Sequence, residues 1–329
     1  MKRDLICFKS FFNGIINLGD HMWWNVCLLI LGLALIVVSS NIFVDSASNL
    51  ANSFKVPKMV IALTIAAFCT CAPELAISFN SIANNNYDLT ISNVVGSCAV
   101  NILLIIGLAS VVKPVKIKTV TVSKELPLLV IVTFTFCLLF FDNVLSRYDA
   151  IVLLLLFILF CVYLYRMVKR FKKIEYDEIK QGKIKSLIFT LVSLVAIVFA
   201  SELIVDSTLY LSEQLNISTK LISMTVVVIG TSLPELMITV TSAKKGEFDM
   251  TVGNIIGTNI FNICIVLGLP VLIFGSINSM AFNYIDLIAI LIAAVMFYLL
   301  GRSERTISRL EGCLMLLLFV VYYGYLIIF

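Results

Sequence analysis

Long apolar segments recur along the whole chain, and they constrain its fold more than any other feature. A helix needs about 17–25 predominantly apolar residues to span a bilayer. Ten segments approach this length, in a chain that is 60% hydrophobic, only 13% charged and has a mean hydropathy of +1.06. We therefore predict ten transmembrane helices, at residues 23–44, 57–83, 89–112, 125–141, 149–167, 186–206, 219–243, 250–274, 284–301 and 310–329.

Two parts of the sequence repeat each other at a constant separation of 161 residues. Pro73 aligns with Pro234, and Glu74 aligns with Glu235. Shared hydrophobicity does not explain these matches, because they fall on polar residues and glycines. The other matched pairs are Asp45 and Asp206, Ser46 and Ser207, Thr64 and Thr225, Thr70 and Thr231, Asp88 and Asp249, Asn93 and Asn254, Gly96 and Gly257, Asn101 and Asn262, and Gly107 and Gly268.

Each repeat unit contains five predicted spans, so the second unit must enter the membrane from the side opposite to the first. Inverted repeats of this kind are typical of secondary transporters, whose binding site lies where the repeats meet. We predict an all-α membrane protein with ten transmembrane helices in two inverted-topology five-helix repeats. The predicted divisions are an N-terminal tail at 1–22, a first repeat at 23–167, a loop at 168–185 and a second repeat at 186–329.

The positions of Lys and Arg predict how the chain is oriented. These residues favour loops on the cytoplasmic side of a membrane. Nearly all the loop Lys and Arg lie in one alternating set of loops, which includes the highly charged central loop. We therefore expect a plasma (inner) membrane protein with a cytoplasmic central loop and both termini outside.

The repeated motifs place a proline and a glutamate together at membrane depth. Proline lacks an N–H, so Pro73 and Pro234 each leave a backbone carbonyl one turn earlier without its helical partner. Unpaired carbonyls and intramembrane acids are tolerated mainly along polar cavities and ion pathways. Hydroxyl and amide side chains accompany both motifs. The candidate ligands are Glu74, Glu235, Thr70, Thr231, Ser232, Ser97, Thr258, Asn101 and Asn262.

This set offers only oxygen ligands, which hard cations such as Ca²⁺ and Na⁺ prefer. Two glutamates supply the charge that one Ca²⁺ requires. An alternative is that the prolines only kink their helices and that protonated glutamates hold helices together. The repetition of the whole setting favours the cation site.

Other chemistry has little support in the sequence. His21 is the single histidine, so the chain lacks the parts of a histidine zinc site or a Ser-His-Asp triad. Cys69 and Cys71 are better explained as small residues at helix contacts than as a metal pair. We predict no enzymatic activity and no resident cofactor. The expected partners are the bilayer and the transported Ca²⁺ and Na⁺, with no nucleic acid and no obligatory protein partner.

The motifs resemble those of a known family, the cation/calcium exchanger superfamily. Gly-Thr-Ser-Leu-Pro-Glu at 230–235 and Gly-Asn-Ile-Ile-Gly-Thr-Asn-Ile-Phe-Asn at 253–262 are similar to its second α-repeat. Residues 70–74 and 93–101 are similar to the first. The resemblance implies ten helices in two inverted halves, with Glu74 and Glu235 as the central cation ligands. It points to the bacterial calcium/sodium antiporter branch.

The sequence departs from the usual family pattern at three positions. Cys71 replaces a hydroxyl residue, which puts one Na⁺ position in question because a thiol is a poor ligand for hard cations. Cys98 replaces an asparagine, which we interpret as a packing change. Asn262 stands where many relatives, notably potassium-dependent ones, carry aspartate, and this argues against potassium dependence.

These observations favour an antiporter that exchanges Ca²⁺ for Na⁺ by alternating access, in the direction of Ca²⁺ extrusion. A H⁺/Ca²⁺ or other divalent-cation antiporter is the first alternative, because glutamates can carry protons as well as sodium ions. A cation channel is the second. The sequence leaves the counter-ion, the stoichiometry, the divalent selectivity, the physiological direction and the oligomeric state open.

Overall fold

The protein is a bundle of long helices joined by short loops. The computed structural model describes residues 2–85, 87–171, 182–214, 228–279 and 284–328. The helices are α1 (Lys2–Phe54), α2 (Lys58–Thr70), α3 (Ala72–Ala83), α4 (Tyr87–Val112), α5 (Thr119–Ser123), α6 (Glu125–Leu139), α7 (Arg147–Phe171), α8 (Lys183–Gln214), α9 (Val228–Thr231), α10 (Leu233–Lys245), α11 (Phe248–Phe274), α12 (Tyr284–Ser303) and α13 (Arg309–Ile328). The short strands are β1 (Val115–Lys116), β2 (Val144–Leu145), β3 (Ile277–Asn278) and β4 (Thr306–Ile307).

The prediction of a helical membrane protein is confirmed. Within the described ranges, eight helices are long and apolar enough to cross a bilayer, and the bent pair α2–α3 makes nine. The predicted span 219–243 begins outside those ranges, and α9 and α10 form its described part, so the count of ten stays a prediction. Helix α1 includes residues 2–22 of the predicted tail, and the division into tail, repeats and loop stays a prediction.

The two proline motifs each interrupt a helix, as the missing N–H of proline requires. Helix α2 ends and α3 begins at Cys71 (φ −79°, ψ 2°), with a bend of 44°. Helices α9 and α10 meet at Ser232, whose backbone is nearly the same (φ −87°, ψ 4°). Pro73 and Pro234 then lie in the first turn of the following helix, where proline costs nothing. The repeat is therefore present in the backbone as well as in the sequence.

An approximate two-fold relation connects the halves, and the strand pairs show it directly. Strand β1 pairs antiparallel with β4, and β2 pairs antiparallel with β3. Exchanging the halves converts one pair into the other. The helices that follow β2 and β4 also begin alike: Ser146 and Asp149 cap α7 reciprocally, and Ser308 and Glu311 cap α13 in the same way.

The last helix of each half packs against the third span of the other half. Helix α13 lies so close to α4 that a Cβ built on Gly107 would stand 3.1 Å from the carbonyl oxygen of Gly312. At the matched position in the second half, a Cβ on Gly268 would stand 3.5 Å from the carbonyl oxygen of Ala150 in α7. Small residues let membrane helices approach closely in this way. The halves are thus interlocked.

Helices α4 and α11 occupy the centre of the bundle. Of their most apolar stretches, 78% and 83% of the residues are buried, against 22–39% for the other single-helix spans described. Both helices contain a wider π turn, at Val100–Ile106 in α4 and at Asn262–Leu267 in α11. Such turns are rare and frequently occur at functional sites.

Ion pairs tie the turn between α10 and α11 to the first half of the chain. Gly246 makes this turn in the left-handed region (φ 79°), which glycine adopts without strain. The turn lies at the lysine-rich face, which we define as the end of the bundle that carries β1 and β4. The pairs that the described residues form here are Lys58–Glu247 at 2.8 Å, Lys118–Asp249 at 2.6 Å and Lys245–Asp45 at 2.6 Å.

A charge exchange tests the pair that is least exposed. Lys58 contacts both carboxylate oxygens of Glu247, and about a quarter of each side chain is exposed. Lys58→Glu places two acids together and should lower the free energy of unfolding by about 1 kcal/mol. The double variant Lys58→Glu/Glu247→Lys should recover most of that loss, which thermal unfolding in detergent measures. Lys116→Glu, at an exposed lysine of the same face, should change little. A double variant no more stable than the single one contradicts the pair's contribution.

Candidate cation-binding site

Four segments bring the predicted ligands together at the centre of the bundle. The break between α2 and α3 carries Thr70 and Glu74, and the break between α9 and α10 carries the matched residues of the second repeat. Helix α4 supplies Ser97 and Asn101, and α11 supplies their counterparts Thr258 and Asn262. Helix α11 packs along α2, and α4 contacts α9, so each third span crosses the broken helix of the other repeat.

Glycine makes the closest of these crossings possible. A Cβ built on Gly257 would lie 2.9 Å from the Cα of Leu63, and one on Gly253 would lie 2.6 Å from the sulfur of Met59. A larger residue at position 257 would push α11 away from α2. The hydroxyl of Thr258 would then move away from the α2–α3 break.

The two glutamates face each other across the boundary between the repeats. Glu74 lies within electrostatic range of Glu235 and beside Thr231, and Glu235 lies beside Thr70. Each carboxylate therefore meets the threonine of the opposite motif rather than that of its own. Neither motif builds this arrangement alone.

The ligand set is buried, and seven of its nine residues have side-chain oxygens without a hydrogen-bond partner among the described residues. Eight of the nine predicted residues are at most 1% exposed, and Thr231 is partly exposed. Leaving a buried polar atom without a hydrogen bond costs about 1–3 kcal/mol, and more for a charge. The atoms that accept no hydrogen bond from the described residues are both carboxylate oxygens of Glu74 and of Glu235, the hydroxyl oxygens of Ser97, Ser232 and Thr258, and the amide oxygens of Asn101 and Asn262.

Such a set is suited to holding a hard cation. It supplies two carboxylates, neutral hydroxyls and amide oxygens, which are the groups that Ca²⁺ and Na⁺ accept. The described residues contain no group of three or more His, Cys, Asp and Glu placed to hold a metal ion. Hydroxyl and amide oxygens without partners lie in the same set as the two carboxylates. The burial also closes the site, so a cation bound there would need a conformational change to leave.

Two further asparagines hold the glutamate backbones in place, and the sequence reasoning gave them no role. Asn93 donates from Nδ2 to the carbonyl oxygen of Glu74 at 3.4 Å, and Asn254 donates to that of Glu235 at the same distance. Asn254 also donates to Oγ1 of Thr239 at 3.0 Å. The signal that could have identified them is their match in the repeat.

Cys71 is turned away from a ligand role. Its thiol contacts the carbonyl oxygen of Thr258, with Sγ 3.8 Å from the oxygen. Ser232, its counterpart in the second repeat, keeps a buried hydroxyl without a partner. The two helix breaks have nearly the same backbone shape, but at this matched position only the second repeat offers a hydroxyl oxygen.

Comparison with known proteins gives one consistent result. The sequence model of a family described as "Sodium/calcium exchanger protein" matches residues 24–166 and 185–328. The inner membrane protein YrbG of Escherichia coli (strain K12) is 33% identical over 306 residues, which are 90% of this chain and 94% of that protein. The sodium/calcium exchanger MaX1 of Methanosarcina acetivorans is 29% identical, with 91% and 97% covered.

A solved structure is similar over nearly the full length. The sodium-calcium exchanger NCX_Mj superposes with a TM-score of 0.79 at 30% sequence identity, and the match covers 92% of this chain and 99% of that one.

The carboxylates are tested by changing each to its amide. Glu74→Gln or Glu235→Gln removes one of the two negative charges while keeping the shape of the side chain. We expect each change to weaken equilibrium binding of radiolabelled Ca²⁺ to the purified protein by roughly 100-fold or more, equivalent to about 2.7 kcal/mol. Glu304→Gln, the same change at an exposed residue, is the control. A variant that folds and binds Ca²⁺ as the parent does would remove that glutamate from the site.

Proposed function

Because the chain belongs to the sodium/calcium exchanger family, we propose that it exchanges Ca²⁺ for Na⁺ across the membrane by alternating access. The activity common to this family is cation/Ca²⁺ antiport, and its members are transporters rather than enzymes. The observation that carries the proposal is the pair of buried carboxylates, each beside a threonine of the opposite repeat.

The ligand roles follow from charge and position. Glu74 and Glu235 are the central ligands, because only they can neutralise a divalent cation. Thr70 and Thr231 lie beside these carboxylates and contribute hydroxyl oxygens. The remaining ligands are neutral and complete the coordination of Ca²⁺ or of several Na⁺. They are Ser232, Ser97, Thr258, Asn101 and Asn262.

The same charge makes the exchange obligatory. Two ionised carboxylates without a cation are costly at membrane depth, because little water or protein compensates them. The protein with an empty site therefore changes slowly between the states open to either side of the membrane. With the site neutralised by Ca²⁺ or Na⁺, the same conformational change is fast. Coupling of the two ion flows follows from this difference.

Energetics favour three Na⁺ for each Ca²⁺. Exporting Ca²⁺ against a 10⁴-fold gradient requires about 5.5 kcal/mol. Three Na⁺ that enter down a tenfold gradient release about 4.1 kcal/mol, and one net charge at 100 mV adds about 2.3 kcal/mol. Two Na⁺ release about 2.7 kcal/mol without a net charge. Extrusion of one Ca²⁺ under these gradients thus needs the entry of three Na⁺ rather than two.

We place the protein in the plasma (inner) membrane with its lysine-rich face in the cytoplasm. The loops on that face carry Lys113, Lys118, Lys244 and Lys245, and such residues favour the cytoplasmic side. The central loop is then cytoplasmic, and both termini are outside. In this orientation the ion pairs at the α10–α11 turn lie on the cytoplasmic side of the bundle.

Proton coupling is the alternative that the same carboxylates allow, and gradient-driven transport distinguishes the two. Purified protein in proteoliposomes should take up radiolabelled Ca²⁺ when an outward Na⁺ gradient is imposed at equal pH. A pH gradient without Na⁺ should drive little uptake. Uptake driven only by the pH gradient would replace the proposal by H⁺/Ca²⁺ antiport, and uptake without any counter-ion would indicate a channel. Liposomes with the Glu74→Gln variant provide the background.

The Cys71 position tests the sodium sites separately. Cys71→Ser restores the hydroxyl that Ser232 provides in the second repeat, and a hydroxyl is the better ligand for Na⁺. We expect the Na⁺ concentration for half-maximal Ca²⁺ exchange to fall or stay equal, with exchange retained. Cys69→Ser, in the same helix turn, controls for replacing a thiol that is only partly buried. A complete loss of exchange in Cys71→Ser would show that the thiol has a role of its own.

A further inference from the structure

The two amide ligands are held differently, although the repeat matches them. Asn101 donates from Nδ2 to Oδ1 of Asn259 at 3.3 Å, which leaves its own buried Oδ1 without a partner. Asn262 has no hydrogen-bond partner among the described residues at either Nδ2 or Oδ1. One amide is therefore anchored, and the other is not.

The difference arises at the position that pairs with each amide across the repeats. The residue 161 positions before Asn259 is Cys98. The segment of α4 that carries Cys98 packs against the π turn that begins at Asn262. In the same way, the segment of α11 that carries Asn259 packs against the π turn around Asn101. Cys98 thus stands where an acceptor for Asn262 is required, but it is a buried thiol.

A thiol cannot replace the amide in this contact. Sulfur is a weak acceptor, whereas the carbonyl oxygen of an asparagine accepts strongly from an N–H. The amide nitrogen of Asn262 consequently finds no acceptor, and nothing selects which end of that amide faces the site. The sequence had indicated only a packing change at position 98, but the structure adds the loss of a hydrogen-bond acceptor.

Anchoring decides how well an amide can bind a cation. In Asn101 the donated hydrogen bond fixes the nitrogen on Asn259, so the free oxygen is the atom left for a cation. In Asn262 the cation itself must orient the amide, and the lost side-chain freedom reduces affinity. Replacing a residue that orients a metal ligand through a hydrogen bond typically weakens metal affinity by about 10–100-fold.

We propose that Asn259 is a positioning residue that directs the Asn101 oxygen toward the transported cation, and that Cys98 leaves Asn262 without this support. The two repeats then contribute unequally to one site, and Asn101 is the stronger amide ligand. The inference rests on the proposed exchange function, because it assigns roles to ligands of that same site.

Exchanging the two side chains tests the proposal. In the parent protein, Asn101→Ala should weaken equilibrium Ca²⁺ binding by roughly tenfold, and Asn262→Ala should weaken it clearly less. In the double variant Cys98→Asn/Asn259→Cys the anchoring moves to Asn262. The order of the two alanine effects should therefore reverse. A purely structural role for Asn259 or Cys98 would not produce a reversal.

Single variants keep the test decisive if the double variant does not fold. Cys98→Asn alone should increase Ca²⁺ affinity several-fold and lower the KM of exchange with Vmax nearly unchanged, and adding Asn262→Ala should cancel the gain. Cys98→Val alters packing at the same position without supplying an amide, so no gain is expected. An equal gain from Cys98→Val would overturn the proposal, as would equal alanine effects in the parent and in the exchanged protein.

The parent protein separates this inference from the function on which it rests. If the parent shows no Ca²⁺ binding and no exchange, the proposed function fails and with it the ligand roles. If the parent exchanges Ca²⁺ for Na⁺ but Asn259→Cys leaves its Ca²⁺ affinity and KM unchanged, only the positioning role fails.

Discussion

Two carboxylates buried in one space at the centre of an apolar bundle are the constraint on which the rest of the structure depends. Glu74 and Glu235 are at most 1% exposed, so each carboxylate carries a large desolvation cost. The surrounding helices supply hydroxyl and amide oxygens that can coordinate a cation together with the two carboxylates. Broken helices present hydroxyls, and a glycine at position 257 lets α11 approach α2 closely. A cation bound between the repeats would offset this cost.

The approximate two-fold relation explains how a single site forms from two repeats. Each carboxylate lies beside the threonine of the opposite motif, and each last helix packs on the third span of the other half. Each of these contacts therefore takes one residue or helix from each half of the molecule. The same relation would place equivalent contacts at both ends of the bundle, yet the ion pairs that the described residues form lie at the lysine-rich face. The two ends of the bundle thus differ in their charged contacts, although the two-fold relation gives them a similar backbone arrangement.

Single substitutions break the symmetry inside the site as well. Cys71 and Ser232 have nearly the same backbone angles, but the thiol contacts the Thr258 carbonyl while the hydroxyl stays available. Cys98 and Asn259 also occupy matched positions, and only the asparagine can anchor an amide ligand. In both pairs the thiol is in the first repeat. A site built from unequal halves can bind different cations with different subsets of its ligands.

By itself the sequence determined the helical membrane fold, the repeat and the chemical types of the candidate ligands. Hydropathy, proline and residue spacing act within one segment, so they can be interpreted without knowledge of the fold. Only the tertiary structure decided which hydroxyl meets which carboxylate, and that the Cys71 thiol turns to a carbonyl 187 residues away. It also decided that Asn259, 158 residues from Asn101, anchors that amide, whereas Asn262 stays unanchored. These contacts join chain segments that meet only when the two repeats pack against each other. The local sequence therefore cannot predict them.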